Sequence, residues 1–190
     1  EDYDLPEYDA KCEALIPVLE REQKAFFHAH RADDIFTAIR IAKEFKLDYV
    51  IVHCTEGHLI RDILAAEKVK AIAGPILCDR SKPELKNLSV EGPALLHEAG
   101  IHAALCTDHP VIPIQYLPLC AGLCVGAGLE KEEALKAITI YAAEAAGIDD
   151  KVGSLAPGKD ADLVIYKEDA DPCGPYARPS MVFINGQQVL

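Results

Sequence analysis

Three short apolar runs in this chain each end in a residue that can bind a metal or move a proton. Ala25-Phe26-Phe27 leads into His28, Tyr49-Val50-Ile51-Val52 ends at His53, and His102 to Cys106 ends at Thr107-Asp108. Imidazole and carboxylate are donors suited to zinc, iron or manganese. Water on such a cation loses a proton near neutral pH, and a neighbouring carboxylate can accept it. A lone histidine at a strand end is ordinarily a hydrogen-bonded structural residue. The recurrence of donors at three corresponding positions is what points to one shared cation. His30 would share a side with His28 if the strand ran that far; otherwise it lies just past the strand end, within reach of a substrate. His109 follows Asp108 directly and is a candidate substrate contact. The loop after another apolar run, Val69 to Ala73, carries Arg80 and Lys82. These could hold a substrate carboxylate or form exposed ion pairs. His58 opens a helix and could line the same pocket, whereas His97, on a helix, and His102, at the start of a strand, read as structural.

The elements around these residues alternate. Helical spacing of apolar residues predicts helices over Tyr8–Arg21, Ala32–Phe45, His58–Glu67, Pro93–Ala99, Tyr116–Gly126 and Lys131–Ala146. In the second of these, Ile35, Ala38, Ile39 and Ala42 share one face. The apolar runs between the helices are strands, and Ile76–Ser89 is a loop. Continuous apolar strands alternating with amphipathic helices describe an α/β fold with a covered parallel sheet. In such folds polar groups at the C-terminal strand ends gather into a site. About four strand–helix units are present, half of what a closed (β/α)8 barrel requires. After residue 147 the period changes. Ala161–Tyr166 reads as a strand, Asp169–Ser180 as a loop with three prolines, and Met181–Ile184, Asn185-Gly186, Gln187–Leu190 as a hairpin. The expected organisation is a partial barrel over residues 1–147 and a small β segment over 148–190.

Composition narrows the function. The chain has 190 residues, half of them apolar, and a formal charge of −12. An acidic surface repels phosphate backbones, which argues against nucleic-acid binding. No apolar run is long enough to span a membrane. The 7 cysteines are an odd number at irregular spacing, which argues against a disulfide framework and for a reducing cytoplasm. Cys54 and Cys106 lie in or beside apolar runs and read as small buried hydrophobes. No GxGxxG, Walker or GxSxG pattern occurs, so nucleotide and serine-hydrolase chemistry have no support. The first residue is Glu, and the expectation is a piece of something longer.

Val152-Gly153-Ser154-Leu155-Ala156-Pro157-Gly158-Lys159-Asp160-Ala161-Asp162-Leu163-Val164 resembles the C-terminal signature of the amidohydrolase superfamily. His28-Ala29-His30-Arg31, His53-Cys54-Thr55-Glu56-Gly57 and Thr107-Asp108-His109-Pro110 resemble the ends of strands five, six and eight of imidazolonepropionase-related members. The resemblance runs from about Lys24 to Leu190. It implies the C-terminal half of a TIM-like barrel followed by a small β-sandwich segment. It also implies that His28, His53 and Asp108 bind a divalent metal, zinc first, with one or two ions in the whole protein. Asp108 would carry the proton of the attacking water. His30, Arg80 and His109 are the candidate substrate contacts on position and charge alone. The reaction implied is hydrolysis of a C–N bond in a small amide or cyclic amide. The family's first strand carries an H-x-H pair and its fourth often a bridging lysine or glutamate; this sequence contains neither strand. Its last long helix also departs from the family, with Thr139-Ile140-Tyr141 where an Asn-Pro-Ala often stands.

A half barrel leaves strand edges open. The expected partners are therefore the missing N-terminal half or a second copy of the chain, the latter making a homo-oligomer. A partner subunit supplying the other half is a further possibility, and so is a non-catalytic barrel fragment or pseudoenzyme that serves binding or assembly.

Overall fold

Pro17 decides how the described chain, residues 7–190 of this computed structural model, begins. The predicted helix over Tyr8–Arg21 is instead two one-turn helices, α1 (Ala10–Glu13) and α2 (Ile16–Leu19). Pro17 has no N–H, and in a continuous helix its ring would collide with the carbonyl of Glu13, where α1 stops. Leu15 and Leu19 stay exposed, so no core contact enforces a longer helix. Residues 1–6, which fall within the expected partial barrel, lie outside the described residues.

The predicted alternation follows. β1 (Ala25–Ala29) leads to α3 (Ala32–Glu44) and β2 (Tyr49–His53). A 3-10 turn over Gly57–Ile60 runs into α4 (Arg61–Ala66), so the predicted helix over His58–Glu67 begins tighter than an α-helix. β3 (Lys70–Ala73), α5 (Gly92–Glu98) and β4 (Ala104–Leu105) complete the series. The four strands are all parallel and lie in the order β1-β2-β3-β4. The molecule is thus a mixed α/β fold on a parallel sheet. β2 is covered on both faces, with Val50 and Ile51 each 0% exposed, as its unbroken apolar run requires. α3 buries Ile35, Ala38, Ile39 and Ala42, the four residues of its apolar stripe. β4 is shorter than the run His102–Cys106, because only Ala104 and Leu105 find partners on β3.

After a 3-10 turn at Ile114–Tyr116 comes α6 (Leu117–Gly126). The single helix predicted over Lys131–Ala146 is two, α7 (Lys131–Ala137) and α8 (Ile140–Ala146). The break falls in the β-branched run Ile138-Thr139-Ile140. Thr139 leaves helical geometry at φ −132°, ψ −94°, and its hydroxyl turns back to the Leu135 carbonyl at 2.7 Å. α8 ends on Gly147 in the left-handed conformation, φ +75°. Lys24, one residue before β1, donates its ammonium to the Glu144 carbonyl at 2.7 Å. The last helix of the series is thereby tied to the start of the first strand.

The tail forms a separate three-stranded antiparallel sheet of β5 (Leu163–Ile165), β6 (Met181–Ile184) and β7 (Gln187–Gln188), in that order. Asn185 and Gly186 both take positive φ, 51° and 75°, the requirement of a two-residue hairpin turn whose twist matches its strands. Among the described residues no helix is long and apolar enough to cross a membrane.

Candidate metal centre

Because the strands are parallel, β1 and β2 deliver their last residues to the same end of the sheet. There His28, His30 and His53 meet, with one ring nitrogen of each within 4.8 Å of the others. The His28 and His53 rings are 4.3 Å apart between centroids, and those of His30 and His53 stack at 4.4 Å. His28 is exposed, while His30 and His53 are 6% and 4% exposed. β1 ends at Ala29, so His30 lies just past the strand.

The convergence depends on an unusual backbone. His53 pairs in register with Ala29, which is buried, whereas His28 projects to the opposite face. Regular extended geometry would send the His53 ring away from His28. His53 and Cys54 instead take φ of 72° and 47°. A φ near +70° turns the substituents of Cα about half a revolution from the extended value, and the imidazole swings toward His28. Such left-handed residues cost about 1–3 kcal/mol each and persist only where the surroundings hold them. One holding contact is a 2.8 Å hydrogen bond from His53 Nδ1–H to the Gly74 carbonyl, at the end of β3. Gly74 must be glycine: its φ is +134°, and a Cβ there would run into the Cys106 carbonyl oxygen.

With Nδ1 committed as donor, His53 keeps Nε2 as a free lone pair. His30 Nδ1 shares a 2.8 Å hydrogen bond with the buried hydroxyl of Thr55. Burial pushes His30 down to about 4, reinforced by the nearby His53 and His28. Burial also lowers His53 against the opposing pull of its bond to Gly74. Both rings are thus neutral at pH 7, the form that binds metals. Two buried neutral imidazoles beside the exposed ring of His28 offer nitrogen donors that fit a borderline-soft divalent cation.

A cavity of about 430 Å3 opens onto this cluster and is lined by His28, His30, Asp79, Lys82, Leu85 and Asp108, among others. Asp108 sits on the loop after β4 in a left-handed conformation, φ 52°. It faces the same cavity as His28, but it is not among the groups whose donor atoms all fall within 4.8 Å. β3 lies between its strand and β2, whereas β1 and β2 are adjacent. The predicted substrate contacts separate. Lys82 lines the cavity and lies 3.7 Å from Glu84. Arg80 instead turns back, donating its guanidinium to the Leu88 carbonyl at 2.7 Å, and it does not line the cavity. His109 is exposed and also outside the lining. His58 lies to one side, bonded through Nδ1 to the Thr55 carbonyl at 3.1 Å.

Sequence reasoning missed two residues that build the site. Thr55 orients His30, as above. Glu56 accepts the Ala32 N–H with one carboxylate oxygen and Asn87 with the other, both at 2.8 Å. It thereby fastens the loop after β2 to the start of α3 and to the loop that walls the cavity. The only signal for either was position, immediately downstream of His53. The seven cysteines are all free thiols. Cys54 is buried, which pushes its thiol up to about 12, and Cys106 is raised to about 11 by the same cause.

Comparison with known proteins agrees with this architecture. The crystal structure of an amidohydrolase from Thermotoga maritima MSB8 superposes with a TM-score of 0.91 at 41% identity, covering 98% of this chain and 48% of that one. Amidohydrolase tasK from Hapsidospora irregularis is 28% identical over 96% of this chain and 19% of its own length. An imidazolonepropionase from Geobacillus kaustophilus is 49% identical over 74 residues, 37% of this chain and 18% of that protein. The chain therefore spans about half of the Thermotoga protein and under a fifth of the other two as aligned. Residues 22–189, most of the chain, match the amidohydrolase family, and the chain belongs to that family.

Proposed function

We propose that this chain is the C-terminal half of the catalytic barrel of a metal-dependent amidohydrolase, which cleaves a C–N bond in a small amide or cyclic amide. The observation that carries the proposal is the convergence of His28, His30 and His53 at the strand ends of a chain from this family. The strand order supports the barrel: it advances in one direction without the reversal that marks doubly wound sheets. The remaining strands would come from the other half of a longer polypeptide or from a second chain. Residues 1–147 would form the barrel portion and 148–190 the start of a β-sandwich. Free thiols throughout suit a reducing compartment, the cytoplasm first.

His28 and His53 would hold the cation, with Asp108 closing in from across the cavity. His30 stands close enough to serve as a third nitrogen donor as well as to meet substrate. The bound cation, zinc by preference, would supply Lewis acidity that polarises a carbonyl and acidifies water. Asp108 would take the proton of the attacking water at its carboxylate and pass it to the leaving nitrogen. Lys82 would attract an acidic group of the substrate to the cavity wall. The likeness to an imidazolonepropionase puts a cyclic amide first among substrates.

Metal analysis and amide hydrolysis by the whole protein test this reading. His28→Ala and His53→Ala should each lower metal affinity by more than about 100-fold, beyond what loss of an orienting neighbour costs. Asp108→Ala should abolish turnover. Unchanged metal content and turnover in all three variants would overturn the assignment.

A further inference from the structure

The opposite end of the sheet holds a second histidine cluster. His97 lies on α5, His102 just before β4 and Glu133 in the first turn of α7. One donor atom from each lies within 4.8 Å of the other two. The Nδ1 atoms of His97 and His102 are 3.5 Å and 3.7 Å from the same carboxylate oxygen, Glu133 Oε2. These separations are too long for good N–H···O hydrogen bonds, which close to about 2.7–3.2 Å. They are close to the edge of a tetrahedron around zinc, about 3.3 Å for bonds of about 2.0–2.1 Å.

We propose that His97, His102 and Glu133 form a second binding site for a divalent transition metal, distinct from the candidate metal centre, with two nitrogens, one carboxylate oxygen and a solvent-filled fourth position. The carboxylate is pre-positioned for this. Tyr141 donates its hydroxyl to Glu133 Oε2 at 2.6 Å, and Lys136 holds Oε1 at 2.9 Å. These bonds keep Glu133 below the usual carboxylate range, Tyr141 contributing most. The charge of Lys136 does not oppose a cation unaided, because Glu132 also binds it at 2.8 Å. Tyr141 further braces His102, its ring 4.9 Å away and tilted by 32°. The Glu133 side chain is largely shielded and that of His102 is half exposed, so the site opens to solvent on one side. N2O coordination with an open position suits zinc, cobalt(II) or copper(II) and disfavours magnesium or calcium.

Separate double variants distinguish the two ends. Equilibrium dialysis of the full chain against zinc should show one equivalent fewer in H97A/H102A than in the parent. H28A/H53A should retain that equivalent, and with cobalt(II) it should display the visible absorption of a four-coordinate ion. Glu133→Gln should weaken this equivalent by about tenfold or more. If H97A/H102A loses its fold, His102→Gln alone, at an exposed position, gives the same readout. An unchanged zinc stoichiometry in folded H97A/H102A or His102→Gln would overturn the proposal. Failure of the other centre would show differently, as identical zinc binding by the parent and H28A/H53A.

Discussion

The two ends of the parallel sheet gather histidines by different means. At the C-terminal strand ends, His30 and His53 are buried, neutral and fixed by a hydroxyl and a backbone carbonyl. At the other end, His97 and His102 stand around a carboxylate that a tyrosine and a lysine hold in place. The first arrangement needs backbone distortion at His53 and Cys54 and a glycine that admits no side chain. The second needs only an ordinary helix end, a strand entry and a helix start. Precision at the first end is imposed by the fold, and proximity at the second follows from side-chain reach.

Gly74→Ala should separate the two ends most sharply. Its Cβ has nowhere to go, and the carbonyl that orients His53 would shift. A loss of about 2–4 kcal/mol in unfolding free energy is expected by denaturant titration, with metal affinity falling at the first end and unchanged at the second. Equal stability of Gly74→Ala and the parent would contradict the close approach. Thr55→Val is a smaller change that keeps shape and removes only the hydroxyl. It should cost about 1 kcal/mol and, if His30 ligates, about tenfold in metal affinity at the first end. Calorimetric titration of the H97A/H102A background reads this effect without interference.

Acid should affect the ends in sequence. His30 sits at about 4 when folded and near 6.5 when unfolded, so between those values the unfolded chain binds more protons. Its neutral burial stabilises the metal-free protein fully above about pH 6.5, and that contribution is lost as pH falls toward 4. His53 is lowered in the same direction. Glu133 is also lowered, from a reference of 4.5, so its contribution is present above that value and lost only at more acidic pH. Melting curves should therefore show parent stability declining between pH 6.5 and 4 and His30→Gln declining less. Identical pH dependence of the two proteins would remove the burial argument.

Much of the strand–helix order was legible because it rests on periodicity. The buried stripe of α3 and the unbroken apolar run of β2 follow directly from residue spacing. The Asn185-Gly186 hairpin was legible because only a turn with positive φ suits that pair between strands. The splits at Pro17 and Thr139 were harder to see, since each interrupts a pattern that remains amphipathic across it. The meeting of His28 with His53 was legible as a coincidence of strand ends. The left-handed turn that completes it was not, because His53 and Cys54 carry no local sign of positive φ. Arg80 and His109 were read from loop position, which does not fix where a side chain turns. Their charge and position suggested substrate contacts, yet one side chain turns back to its own loop and neither lines the cavity.

Anomalous diffraction from crystals of the zinc-loaded protein, recorded on both sides of the zinc absorption edge, tests the central claim most directly. A peak within about 2.2 Å of ring nitrogens from both His28 and His53 is the expected result. Zinc bound only elsewhere in the molecule, or those two rings coordinating nothing at saturating zinc, would contradict it.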